Sequence, residues 1–146
     1  MDTEFETLLN GQQLKRLYEK MGLTITEKYG LHKIEIEIML LLKSGKCDTA
    51  RDIAEIKYFS KAHISRAIEH LAECGYLIGN ADEQDRRCIH LKLTESADPV
   101  CAELAKLRED IMEILYKDVT EEERQVLRNI VKKVSRNIRE ELLTEL

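Results

Sequence analysis

The chain has 146 residues, 43% hydrophobic and 35% charged, with two Phe, five Tyr and no Trp. That mix excludes a disordered chain, and the length allows a buried core without disulfide staples. The net charge of −5 is uneven: residues 43–92 carry nine Lys or Arg against eight Asp or Glu, while the rest carries fourteen against twenty, so a polyanion is expected to meet the middle of the chain.

The first segment predicts a helix. Phe5, Leu8, Leu9, Leu14, Leu17, Tyr18 and Met21 recur at spacings of three and four, and Tyr29-Gly30 marks a break. Ile34 to Ile38 alternates like a strand, but the following Met39-Leu40-Leu41-Leu42 and the stop at Ser44-Gly45 favour a buried helix over 31–42. Thr49 opens a short helix with Asp52 three residues on, in the manner of a capping box, and Ile53, Ala54 and Ile56 form its apolar face. Ser60 caps a second helix whose inner stripe is Ile64, Ala67, Ile68 and Leu71 and whose end is Gly75. Tyr76-Leu77-Ile78 and Cys88 to Leu93 read as two strands of an antiparallel ribbon, with a charged tip between them. Thr94 is expected to cap a long helix with an early Pro99. Thr120-Glu121-Glu122-Glu123 caps a last one, through Val126, Leu127, Ile130, Val131, Val134, Ile138 and Leu142.

The two short helices joined through Lys57-Tyr58-Phe59 form a helix-turn-helix signal. The major groove admits one α-helix, whose first turns read base edges and whose free N–H groups meet phosphate. On the second helix the polar residues are Ser60, Lys61, His63, Ser65 and Arg66, and Arg66 suits a bidentate contact to guanine. The ribbon tip carries Asp85, Arg86 and Arg87. An Arg there fits the narrow minor groove, with the neighbouring Asp85 orienting a guanidinium. The terminal helices have apolar stripes wider than so small a lobe can cover. Two copies packed through them would set two reading helices roughly 34 Å apart on DNA.

These pieces together, Thr49, Asp52-Ile53-Ala54, Ser60-Lys61, Ile64-Ser65-Arg66, Leu71, Gly75-Tyr76-Leu77, Asp85-Arg86-Arg87 and Leu93-Thr94, resemble the MarR family of bacterial regulators over nearly the whole chain. The resemblance implies a mostly α protein with a small β-ribbon wing, a winged helix-turn-helix with N- and C-terminal dimerisation helices. It implies residues 1–30 as an N-terminal dimerisation helix, 31–93 as the DNA-binding lobe and 94–146 as C-terminal dimerisation helices. The implied function is that of a homodimeric repressor or activator on pseudo-palindromic double-stranded DNA, commonly released by a small ligand or by oxidation. The family's Asp-x-Arg wing pair falls on Asp85 and Arg87. The wing also carries Asp82 and Glu83, Gly79-Asn80 stands where basic residues are frequent, Ala97 replaces a usual Gly, and Lys33 replaces a common Pro.

Other chemistries find little support. The Gly-rich phosphate loop, HExxH and nucleophile elbow are missing, so no catalytic residue is assigned, no cofactor is expected and an enzyme is not. His32, His63, His70 and His90 show no ligand spacing, so no metal is assigned. No segment reaches the ~18 apolar residues of a membrane span, and the acidic start lacks a signal-peptide pattern. Cys47, Cys74, Cys88 and Cys101 form no CxxC pair, consistent with reduced thiols in the cytoplasm. Cys74 is expected to be packed and Cys47 exposed. Cys88, after two arginines, supports an alternative as a thiol-based redox sensor, its thiolate favoured by positive charge. A further alternative is a winged-helix protein–protein interaction module, with the acidic wing as its clue. Tyr18, Met21, His32 and Ile36 are candidate walls of an effector pocket.

Overall fold

The computed structural model describes Leu8, residues 10–57 and residues 59–144. Phe5 and Leu9 of the expected first helix, and Tyr58 of the expected turn, lie outside the described residues. The elements are α1 (Gln12–Tyr29), α2 (Lys33–Ser44), α3 (Ala50–Lys57), α4 (Lys61–Glu73), β1 (Leu77–Ala81), β2 (Ile89–Leu93), a 3₁₀ turn (Glu95–Ala97), α5 (Asp98–Leu115) and α6 (Glu121–Thr144). This is the mostly helical winged architecture that the periodicities predict.

Two compact units divide the chain, Met1–Arg108 and Glu109–Leu146. In the first, Ile25 of α1, Ile38, Met39 and Leu41 of α2, Ile53 of α3, and Ile64, Ala67 and Leu71 of α4 share one core with Leu77, Leu91, Val100 and Leu104. The strand-like alternation of Ile34, Ile36 and Ile38 resolves as helix. All three reach the core or its edge because α2 is apolar on several sides, as a central helix must be. In the second unit Thr120 and Glu123 complete a reciprocal capping box at 3.2 and 2.9 Å, and Arg124 lies 4.3 Å over the Tyr116 ring.

Three boundaries differ from expectation. The first apolar stripe is interrupted at Gly11, whose left-handed φ of 65° sets the start of α1 at Gln12; the 3.6-residue pattern runs through this break unaltered. β1 continues through Gly79-Asn80 to Ala81, beyond the apolar Tyr76-Leu77-Ile78, because ladder bonds need no apolar side chains. Thr94 does not cap a helix through its side chain. Its hydroxyl donates to the Gly75 carbonyl at 2.6 Å and its amide to the Tyr76 carbonyl at 3.0 Å, so the end of β2 is tied to the end of α4.

Candidate nucleic-acid interface

The Ser60 hydroxyl accepts the His63 amide at 3.2 Å and so fixes the start of α4. Gly75, at φ 81°, ends the helix, with the Tyr76 amide reaching back to the Leu71 carbonyl at 3.0 Å. Between these caps Ile64, Ala67 and Leu71 are buried while Lys61, His63, Ser65 and Arg66 are exposed. Ser60, Asp85, Arg86 and Arg87 are exposed as well. The positions divide by helical geometry. Lys61 and Ser65, four apart, share one outward line, whereas His63, Arg66 and His70 follow another that borders α2.

That second line forms one wall of a groove of about 660 Å³, which His32, Lys33, Glu37 and Phe59 also line. At its floor is Glu35, buried at 2% exposure. Its carboxylate accepts the Nδ1–H of His70 and the His32 amide, each at 2.5 Å, and the His32 and His70 rings stack at 6.1 Å. Of the four candidate pocket walls, only His32 lines this groove; Ile36 packs against the core.

The wing is built by carboxylates. Strand pairing runs from Leu77 opposite Leu93 to Ala81 opposite Ile89. Gly79 is required there, since a Cβ would stand 2.7 Å from Cγ2 of the stiff, β-branched Ile89. At the turn, Asp82 Oδ2 accepts the amides of Gln84 (3.0 Å) and Asp85 (2.9 Å), and Asp85 Oδ1 accepts the Arg87 amide at 3.0 Å. Asp85 thus holds the Arg87 backbone, where a guanidinium contact was expected, and the Arg87 side chain is presented from a fixed turn.

His90 on β2 lies between two acids, Nδ1 at 2.9 Å from Asp48 and Nε2 at 2.9 Å from Asp82. The hydrogen bond to Asp82, then that to Asp48, raises its pKa above the ordinary imidazole value. Asp82 is lowered in turn, first by His90 and then by the two turn amides. Neither Asp48 nor His90 carried a signal in sequence, being 42 positions apart. Asp82 is eight positions from His90 and becomes its neighbour only once the hairpin register is set. Glu35 and His70, 35 positions apart, were missed for the same reason.

The cysteines reverse two expectations. Cys47 is buried in the core cluster, and Cys74, the residue that closes the end of α4, is exposed. Cys88 is half-buried, and its thiol is pushed up, first by desolvation and then by Asp82 and Asp85. Desolvation and these acids both oppose the thiolate, which corrects the expectation that positive charge favours it. Among the described residues no group of three His, Cys, Asp or Glu is placed to hold a metal, and no helix is long and apolar enough to cross a membrane.

Residues 31–97 match the family of winged helix DNA-binding domains. The uncharacterized HTH-type transcriptional regulator YwhA of Bacillus subtilis is 22% identical over 98 residues, 67% of this chain and 70% of that protein. A MarR protein from Peptoclostridium difficile has the same fold with a TM-score of 0.80 at 20% identity, over 100% of this chain and 94% of its own. A mutant MarR from E. coli, solved in complex with operator DNA, matches with a TM-score of 0.64 at 19% identity, over 92% and 99% of the two chains. Residues 31–97 are thus similar to winged helix DNA-binding domains, and the chain has the fold of the solved MarR proteins.

Proposed function

We propose that the chain is a cytoplasmic transcriptional regulator, acting as a repressor, that binds a pseudo-palindromic double-stranded operator as a homodimer and is released by a small ligand. The observation that carries this reading is the pairing of one capped helix offering exposed Lys61, Ser65 and Arg66 with one fixed turn offering exposed Arg86 and Arg87. The helix suits the major groove and the turn suits the minor groove or the flanking phosphates. Ser60 and His63 stand at the N-terminus of the reading helix, and Asp85 supports the wing.

The dimer reading rests on apolar surface. In the single chain Val126, Ile130, Val131, Ile138 and Leu142 of α6 are exposed, as are Leu14, Tyr18 and Leu23 of α1. Stripes of this kind on a small regulator fit an isologous contact between two copies. On this reading residues 1–30 and 94–146 are dimerisation segments flanking a DNA-binding lobe at 31–93. The ligand reading rests on the groove between α2 and α4, because an occupant there touches His63 and Arg66 on the helix that meets DNA.

The deciding experiment is a fluorescence-anisotropy titration against the DNA upstream of the protein's own gene, at several salt concentrations, with random duplex as control. Sequence-preferring binding that weakens steeply with salt supports the reading. Binding no tighter than to random duplex overturns it and favours a protein-binding winged helix.

A further inference from the structure

We propose that His90 is a positioning residue for DNA binding, a protonated latch that ties the wing to the lobe through Asp82 and Asp48 and releases it as pH rises. This rests on the DNA-binding reading given above.

The geometry leaves one protonation state that satisfies both contacts. Each ring nitrogen faces a carboxylate oxygen at 2.9 Å, and a carboxylate only accepts. Two N–H donors exist only in the imidazolium. In neutral His90 one ring lone pair confronts a carboxylate, and one of the two ties is lost.

Each tie holds a different part. Asp82 organises the wing turn through the amides of Gln84 and Asp85, and Asp85 in turn holds the amide of Arg87. Asp48 belongs to the loop before α3, and its carbonyl accepts the Leu91 amide, so that loop is already fastened to β2. His90 therefore joins the turn that presents Arg86 and Arg87 to the first helix of the helix-turn-helix. The charged surroundings reinforce the sign. Asp48 and Asp52 on the α3 side and Asp82 and Asp85 on the wing all act on the neighbouring Cys88, while Lys46 and Lys92 line the adjacent cleft. With its proton, the trio His90, Asp48 and Asp82 carries one net negative charge; without it, two. The second state is both looser and less welcoming to phosphate. The shift of His90 above the ordinary imidazole value agrees with the latch.

The test uses the full chain. NMR follows the His90 ring and the Gln84 and Asp85 amides between about pH 5 and 8, and anisotropy follows binding to the upstream duplex over the same range, for the wild type, His90→Gln and Asp48→Asn. The expected result is a His90 transition above that of an ordinary imidazole, with the two amides losing protection through it. Wild-type DNA affinity should fall by roughly three- to tenfold across the range, the loss of one charge-assisted hydrogen bond. His90→Gln should show a flat, weak profile, and Asp48→Asn a transition at lower pH. An ordinary or lower His90 transition with unchanged amides overturns the latch whatever the DNA does. A wild-type affinity profile matching that of His90→Gln overturns its effect on binding. If the NMR transition is as expected but no variant prefers the upstream duplex at any pH, the DNA-binding reading has failed, and the claim on affinity with it.

Discussion

His70 on α4 donates Nδ1–H to Glu35 of α2 at 2.5 Å, and the same carboxylate accepts the His32 amide that begins α2. One buried acid thus fixes the start of one helix and the far half of another. Glu35→Ala removes both bonds and leaves a capping amide and a half-exposed imidazole without their partner. We expect a loss of about 2 kcal/mol in urea unfolding, with Glu35→Gln costing less. A loss below roughly 0.5 kcal/mol, the range of an ordinary surface change, would show that Glu35 is not a joint between the helices.

Arg87 stands on a turn whose backbone is held by Asp85 and Asp82. Arg87→Ala should leave the fold and the oligomeric state intact and weaken DNA binding, lowering the slope of log affinity against log salt by about 1 if the contact is to phosphate. Unchanged affinity would remove the wing from the interface.

Arg66 is exposed on α4 and borders the groove. For Arg66→Ala we expect a loss of discrimination between operator and random duplex of about 1–3 kcal/mol, measured by competition anisotropy. Equal losses on both duplexes would make it a phosphate contact.

Ile130 is 47% exposed in the middle of the apolar stripe of α6. Ile130→Glu should convert a dimer to a monomer in sedimentation velocity while helical circular dichroism is retained. A dimer of unchanged stability would place the self-association surface elsewhere.

Cys88 has a thiol raised above its usual range by desolvation and by Asp82 and Asp85, so it is protonated at neutral pH and slow to oxidise. DNA binding should be equal for Cys88→Ser and the wild type, before and after mild peroxide. Oxidant release that Cys88→Ser abolishes would restore the redox reading.

The wing and its neighbour have opposite pH limits. His90 is raised, so its contribution to stability is present below the ordinary imidazole value and lost as pH climbs through the folded one. Asp82 is lowered, so its contribution is present above the ordinary carboxylate value and lost as pH falls through the folded one. The wing is held best between those two limits.

The sequence by itself determined the elements whose cause is local. Ser60 caps α4 with its own hydroxyl, Gly75 turns the chain out of it, and Ile64, Ala67 and Leu71 recur at helical spacing, so α4 and its outward residues were legible. The period-two run from Ile89 to Leu93 marked the wing in the same way. Gly11 escaped because a left-handed residue can interrupt a helix without disturbing the spacing of its apolar side chains. Tertiary structure alone decided what meets across distance. Asp48 reaches His90 over 42 positions, Glu35 reaches His70 over 35, and the Thr94 hydroxyl turns from a helix cap to the Gly75 carbonyl. Polar partners of this kind leave no periodic trace, because a hydrogen bond depends on two groups meeting in space, whereas a cap or an apolar stripe depends on neighbours along the chain.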